Sequence, residues 1–255
     1  MTHRICVHTD DKKYCELEAE PVEFSSQSFN ETITHGTKQN SDALNNQVWD
    51  DSEIIYWTND SDYEFITLVN QEKLIKLALL ESSFQTPLVI RQRKRKSADA
   101  QIRINWLKMK DEKYFTSKSI LAFAGGPGKG LGGDCTMNAD VLWLPRKKDA
   151  PPLTVKRAFD LGYITNYNRD FPNSTVKAYD PQHTLKHEVG GHALGMRHIE
   201  DANERLSAIM YPYYNGLRVF GTADLTYLHK LYGKAPINHK IKKMLLSRIR
   251  KGIAS

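Results

Sequence analysis

Hydrophobic and polar positions alternate most clearly at Gln101-Ile102-Arg103-Ile104-Asn105-Trp106, where every second side chain is apolar. That is the period of a half-buried strand. Glu53-Ile54-Ile55-Tyr56-Trp57, closed by the turn formers Thr58-Asn59-Asp60, predicts an earlier strand, and the short run Leu88-Val89-Ile90 predicts one between them. From Asn70 to Phe84 the spacing becomes helical. Leu74, Leu77, Ala78 and Phe84 form an apolar stripe, broadened by Ile75 and Leu79, until Thr86-Pro87 stops it. Ala139 to Leu144 reads as a further strand. Pro145 to Gln182 reads as a long connection with Pro151-Pro152 and Asn166-Tyr167-Asn168 as turns, and with Phe159, Tyr163, Tyr167 and Phe171 as a lid, a binding wall or a satellite core. A last helix is expected between Gly221 and Gly233, with an N-cap candidate at its start and a glycine stop.

Strands mixed with long helices place the chain in the α+β class. Its 255 residues suffice for one sizeable core with extensions, and 40% hydrophobic with 26% charged residues is ordinary for a globular protein. Charge changes the picture more. The net charge is +6, yet residues 1–66 carry −10 and the remainder +16. Residues 1–51 are therefore expected to be an acidic polar segment, a pro-segment or arm, and 52–234 the folded domain. Residues 235–255 form a basic tail with Ile237, Ile241, Leu245 and Ile249 on one side, suited to an acidic partner, a membrane surface or the acidic leader.

Several classes are disfavoured. Cys6, Cys15 and Cys135 are too few and too scattered for a disulfide framework or a four-cysteine zinc site. No run approaches the length of a membrane span, and the first twenty residues lack the apolar core of a signal peptide, so localisation stays open. The basic run Arg91-Gln92-Arg93-Lys94-Arg95-Lys96 sits in an inter-strand turn with no nucleic-acid fold motif beside it. A solvated turn is the expectation, and no nucleic acid is expected as a partner.

Candidate chemistry concentrates in His187-Glu188-Val189-Gly190-Gly191-His192-Ala193-Leu194-Gly195-Met196-Arg197-His198. Catalytic zinc takes three protein ligands and leaves the fourth position to water. His187, His192 and His198 are the candidate ligands, and Glu188, next to the first, is the candidate general base. One residue is supernumerary. At 100° per residue, His187 and His192 would stand about 140° apart around a regular helix. A single π-turn, eased by Gly190-Gly191, would return them to one face. His183 and His187, four apart, are an alternative helical pair, but Thr184 would then occupy the base position.

From His192 onward the stretch resembles the metzincin pattern H-E-x-x-H-x-x-G-x-x-H, with H-E-x-x-G-H as a variant opening. Ser207-Ala208-Ile209-Met210-Tyr211-Pro212-Tyr213-Tyr214 is similar to the metzincin Met-turn. The resemblance implies a twisted mixed β-sheet with long helices and a zinc-binding active-site helix, with Met210 beneath the metal and Pro212 and Tyr214 as the wall of a substrate pocket. Ala98 to Ile104, Ile120 to Gly128 and Leu131-Gly132-Gly133-Asp134 look like the front half of a matrixin catalytic domain. By the same resemblance, Leu121 and Ala122 lie on an edge strand that pairs with the substrate backbone, a form of β-augmentation.

Departures from that family carry expectations too. Phe123 and Thr136 stand where structural-zinc histidines are usual, so a single catalytic zinc is expected. Asp134 and Asp140 remain as candidate calcium ligands. Calcium needs 6–8 oxygens, and this set is undersupplied, so the expectation leans against calcium. Cys6 or Cys15 as a thiolate cap on the zinc lacks its family context and is not favoured. The reading is a zinc-dependent endopeptidase acting on protein or peptide substrates. An inactive protein-binding module on the same fold, or a basic adaptor for nucleic acid or membrane, remain the alternatives.

Overall fold

The computed structural model describes residues 48–50, 53–115, 120–128, 132–145, 152–165, 169 and 172–235. The expectations for the acidic leader, Cys6, Cys15, Tyr167, Phe171 and most of the basic tail fall outside the described residues.

Five strands form one mixed sheet: β1 (Ile54–Asn59), β2 (Val89–Gln92), β3 (Ile102–Leu107), β4 (Ala122–Ala124) and β5 (Cys135–Asn138), in the order β2-β1-β3-β5-β4. β4 alone runs antiparallel to its neighbour, with Ala122 opposite Met137 and Ala124 opposite Cys135. β3 buries Ile102, Ile104 and Trp106 and turns Arg103, Asn105 and Leu107 outward, as its alternation predicts.

The long helix α1 (Leu68–Gln85) begins where Thr67 Oγ1 accepts the Asn70 amide and ends at Thr86 ahead of Pro87. Its Leu74, Ile75, Ala78 and Leu79 pack on the sheet side chains Ile55, Trp57, Ile102 and Ile104. Each such fully buried side chain contributes about 1.5–3 kcal/mol relative to exposure. The same helix buries Gln71, whose amide donates to the Tyr63 and Ile66 carbonyls while its oxygen accepts from Asn59. Polar residues on its inner face are thus satisfied rather than misplaced.

Two expectations need correction. The strand expected at Ala139–Leu144 lies earlier, at Cys135–Asn138; residues 139–144 form a turn with one isolated bridge, Trp143 to Tyr179. β5 lies between β3 and β4 and is buried on both faces, so its sequence Cys-Thr-Met-Asn shows no alternation to read. Asn138 then ends it. Its Nδ2 donates to Ile120 O, and its carbonyl accepts the indole N–H of Trp143. The connection after Pro145 also holds a short helix, α2 (Val155–Asp160), capped by Thr154 Oγ1.

Helix α3 (Pro181–Glu188) crosses α1 and approaches β4, and α4 (Thr222–Tyr232) closes the domain against α1. No described helix is long and apolar enough to cross a membrane.

Candidate metal centre

Helix α3 starts with proline at its first position and Asp180 as N-cap, whose Oδ1 accepts the Gln182 amide. Arg218 fixes the other carboxylate oxygen through Nε at 2.6 Å and Nη2 at 2.5 Å. The helix therefore enters the site at a fixed angle and presents His187 in its last turn.

The extra residue is accommodated differently from expectation. No π-turn carries the helix on to His192. The helix ends at Glu188, and His192 opens a separate 3₁₀ turn, His192–Leu194. One trace of the wider spacing remains: Gly190 N bonds to Leu185 O, five residues back, at 3.3 Å. Each glycine has its own neighbour. A Cβ at Gly190 would come 2.8 Å from Ala78 O on α1, so this glycine sets the approach of two helices. A Cβ at Gly191 would come 2.2 Å from Met210 Sδ and 2.5 Å from His187 O. Gly195 then takes a left-handed conformation, φ 84°, and returns the chain toward His198.

This path brings His187, His192 and His198 together, with one ligand atom from each within 4.8 Å of the others. His187 Nδ1 lies 2.6 Å from Ile209 O, and His192 Nδ1 lies 2.7 Å from Met196 O. A carbonyl can only accept, so both protons sit on Nδ1 and both Nε2 atoms keep their lone pairs. Those two Nε2 atoms are 2.9 Å apart. Two such acceptors repel one another at this separation, and a cation bound between them relieves the repulsion. The donor set fits zinc, whose borderline softness suits imidazole nitrogen. The backbone carbonyls supply the outer hydrogen bonds that orient metal-binding histidines. Burial, and then the neighbouring His198, push His192 well below its ordinary pKa, which keeps it neutral and able to ligate.

Glu188 is fully buried, and among the described residues neither carboxylate oxygen has a hydrogen-bond partner. Burial pushes its carboxyl well above the usual range. His183 is not part of the cluster: its Nδ1 faces Leu217 O at 2.8 Å, and burial lowers its pKa to about 4. The alternative pairing of His183 with His187 is therefore corrected by geometry.

Met210 is fully buried, its sulfur lies against Gly191, and its backbone is held from outside its own turn. The Asp224 carboxylate, on the first turn of α4, accepts the amides of Ile209 at 2.7 Å, Met210 at 2.9 Å and Gly221 at 2.8 Å. Ile199 N donates to Met210 O at 2.8 Å, tying the segment after His198 to the same turn. Lys186, beside His187, is fully buried and paired with Glu81 of α1 at 2.6 Å. Glu81 also accepts the Phe220 amide. Sequence reasoning missed both carboxylates. The available signals were a lysine in the middle of an otherwise buried helix and an aspartate at the third position of a helix whose N-cap has no side chain.

Other expected site residues are placed as follows. Pro212 and Tyr214 are half-buried, and Tyr214 packs edge-on against His183 at 4.7 Å while its hydroxyl accepts the Asp180 amide. Leu121 and Ala122 are fully buried at and beside edge strand β4, which packs on α3. Asp134 and Asp140 stand at opposite ends of β5 and are not brought together. Asp140 caps the Met109 amide at 2.8 Å. Asp134 is pushed up to about 6 by burial, offset by Arg103. Cys135 is a buried thiol whose pKa is raised by burial, hence unreactive.

Three convergent imidazoles, carried on a helix end, a 3₁₀ turn and the segment that follows it, define a mononuclear zinc site. Residues 48–233 match the family model described as Matrixin, and the chain belongs to the matrixin family of zinc metalloendopeptidases. The same comparison supports one catalytic zinc at the histidine triad and proteins as the substrate class. Comparison with individually curated proteins gives no match.

Proposed function

We propose that this endopeptidase works through Glu188 as general base and later general acid, with His187, His192 and His198 as the metal ligands. The observation that carries the assignment is the pairing of three convergent imidazoles with a neighbouring carboxylate whose two oxygens have no hydrogen-bond partner among the described residues. Bound zinc supplies Lewis acidity toward the scissile carbonyl and lowers the pKa of water to about 7. Glu188 takes the proton from the attacking water and delivers it to the leaving amine. Burial raises the proton affinity of this carboxylate, so the ionised Glu188 is a stronger base than an exposed glutamate.

Met210 forms the floor of the site, and Pro212 and Tyr214 form the wall of the pocket beyond the scissile bond. The edge position of β4 supports backbone pairing of an extended peptide alongside Leu121 and Ala122. The family match over 48–233 supports a catalytic domain spanning 52–234. Arg93 and Arg95 pair with Asp99 and Asp62, which supports the reading of the basic run as a solvated turn rather than a nucleic-acid site.

Glu188→Gln tests the assignment. It should retain one zinc per chain and lose at least about a hundredfold in peptide hydrolysis, the scale of general base catalysis. Unchanged hydrolysis would overturn the role of Glu188, and absence of zinc from the parent would overturn the centre itself.

A further inference from the structure

The turn that carries His192 has no helical ladder to hold it, and the structure shows what replaces that ladder. Trp49 lies immediately ahead of the first strand. Its indole Nε1 donates to Ala193 O at 2.7 Å, and its backbone amide donates to the Tyr232 hydroxyl at 3.1 Å. The Tyr232 hydroxyl in turn donates to Leu194 O at 2.9 Å. The carbonyls of both residues that follow His192 are thus tied to side chains 144 and 38 positions away in sequence. The indole is itself seated: a Cβ at Gly133 would meet Trp49 Cζ2 at 3.0 Å, so the ring rests on the glycine that leads into β5.

We propose that Trp49 and Tyr232 are positioning residues for the metal centre, a clamp that fixes the His192 imidazole by holding the two carbonyls behind it. This inference rests on the reading of the triad as the zinc site. The remaining support of the ring, from His192 Nδ1 to Met196 O, lies within the same loop and moves with it. Among the described residues, the hydrogen bonds that tie the Ala193 and Leu194 carbonyls to distant parts of the fold are those of the clamp. His187, by contrast, is held in a regular helix buttressed by the Lys186–Glu81 pair. The two ligands therefore differ in what fixes them, and His192 depends on a residue at the entrance to the domain.

The clamp also gives the N-terminal lead-in a route to the metal. Whatever displaces Trp49 frees the Ala193 carbonyl and lets the turn relax. A buried acceptor left without its donor is unfavourable, so the turn would move to find another.

The test is zinc affinity of the full-length chain, measured by competition with a chromogenic chelator, for Trp49→Phe and Tyr232→Phe. The first removes the indole donor and keeps an aromatic ring. The second removes a single oxygen and keeps the fold testable should the first variant fail to accumulate. Loss of an outer-shell partner typically costs 10–100-fold in metal affinity, and about tenfold weaker binding is expected for each variant. Ile55→Val, a core truncation on β1 remote from the triad, should lower thermal stability without changing zinc affinity. Zinc affinity within twofold of the parent for both clamp variants would overturn the inference and leave the clamp a purely structural contact. A parent chain that binds no zinc would instead refute the metal centre, and the two failures are distinguishable.

Discussion

Gly191→Ala is the sharpest perturbation of the metal centre. The added methyl would lie 2.5 Å from His187 O and 2.2 Å from Met210 Sδ, against the 3.5–4.0 Å of an ordinary carbon contact. The methionine side chain can adopt another rotamer, since Met is the most adaptable core residue. The carbonyl cannot follow, because it belongs to the last turn of α3 and to a metal-binding residue. Relief therefore requires the chain at position 191 to move by about 1 Å, and His192 is the next residue. Overpacking of this kind costs about 1–3 kcal/mol in stability. Disturbing the orientation of His192 should also weaken zinc binding by about 10–100-fold. Gly190→Ala is the instructive partner. Its methyl meets Lys186 O at 2.7 Å and Ala78 O at 2.8 Å, so the strain falls on the packing of α3 against α1. It should lower stability by a similar amount and change zinc affinity less. The measurements are thermal unfolding in excess chelator and zinc titration of both variants. If Gly191→Ala bound zinc within twofold of the parent and unfolded at the parent temperature, the account of the double glycine would be wrong.

Two further outcomes follow from buried charges. Glu81→Ala leaves Lys186 without its partner in the protein interior, where burial already lowers the lysine pKa; breaking such a pair typically costs about 3–5 kcal/mol, and a denaturation midpoint shifted by less than the equivalent of about 1 kcal/mol would refute the burial argument. Burial pushes the Asp134 carboxyl up to about 6 from its ordinary 3.8, so the folded state binds more protons than the unfolded one in that window and stability falls as pH rises through it. Asp134→Asn should then stabilise the chain above pH 6, by at most about 1 kcal/mol after allowance for solvent screening, and be neutral below pH 4. Destabilisation at pH 7.5 would instead identify the carboxylate as an engaged ligand.

Local pattern carried much of the architecture. The alternation at 101–106 and the helical stripe at 70–84 were legible because each element buries one face, and a single buried face imposes its period on the sequence. The histidine triad was legible because metal chemistry restricts residue type as well as spacing. β5 was not, since a strand covered on both sides has no polar face to alternate with.

The zinc motif divides most instructively. That His187, His192 and His198 share a site was readable from residue identities alone. How a five-residue spacing converges was not, because helix geometry predicts divergence and only neighbours distant in the chain reverse it. Ala78 presses on Gly190, Met210 on Gly191, and Trp49 and Tyr232 hold the turn beyond. The composition of a metal site is a local property, written in a dozen adjacent residues. Its geometry depends on close approaches between segments, and sequence spacing does not encode the distance between elements that meet only in the folded chain.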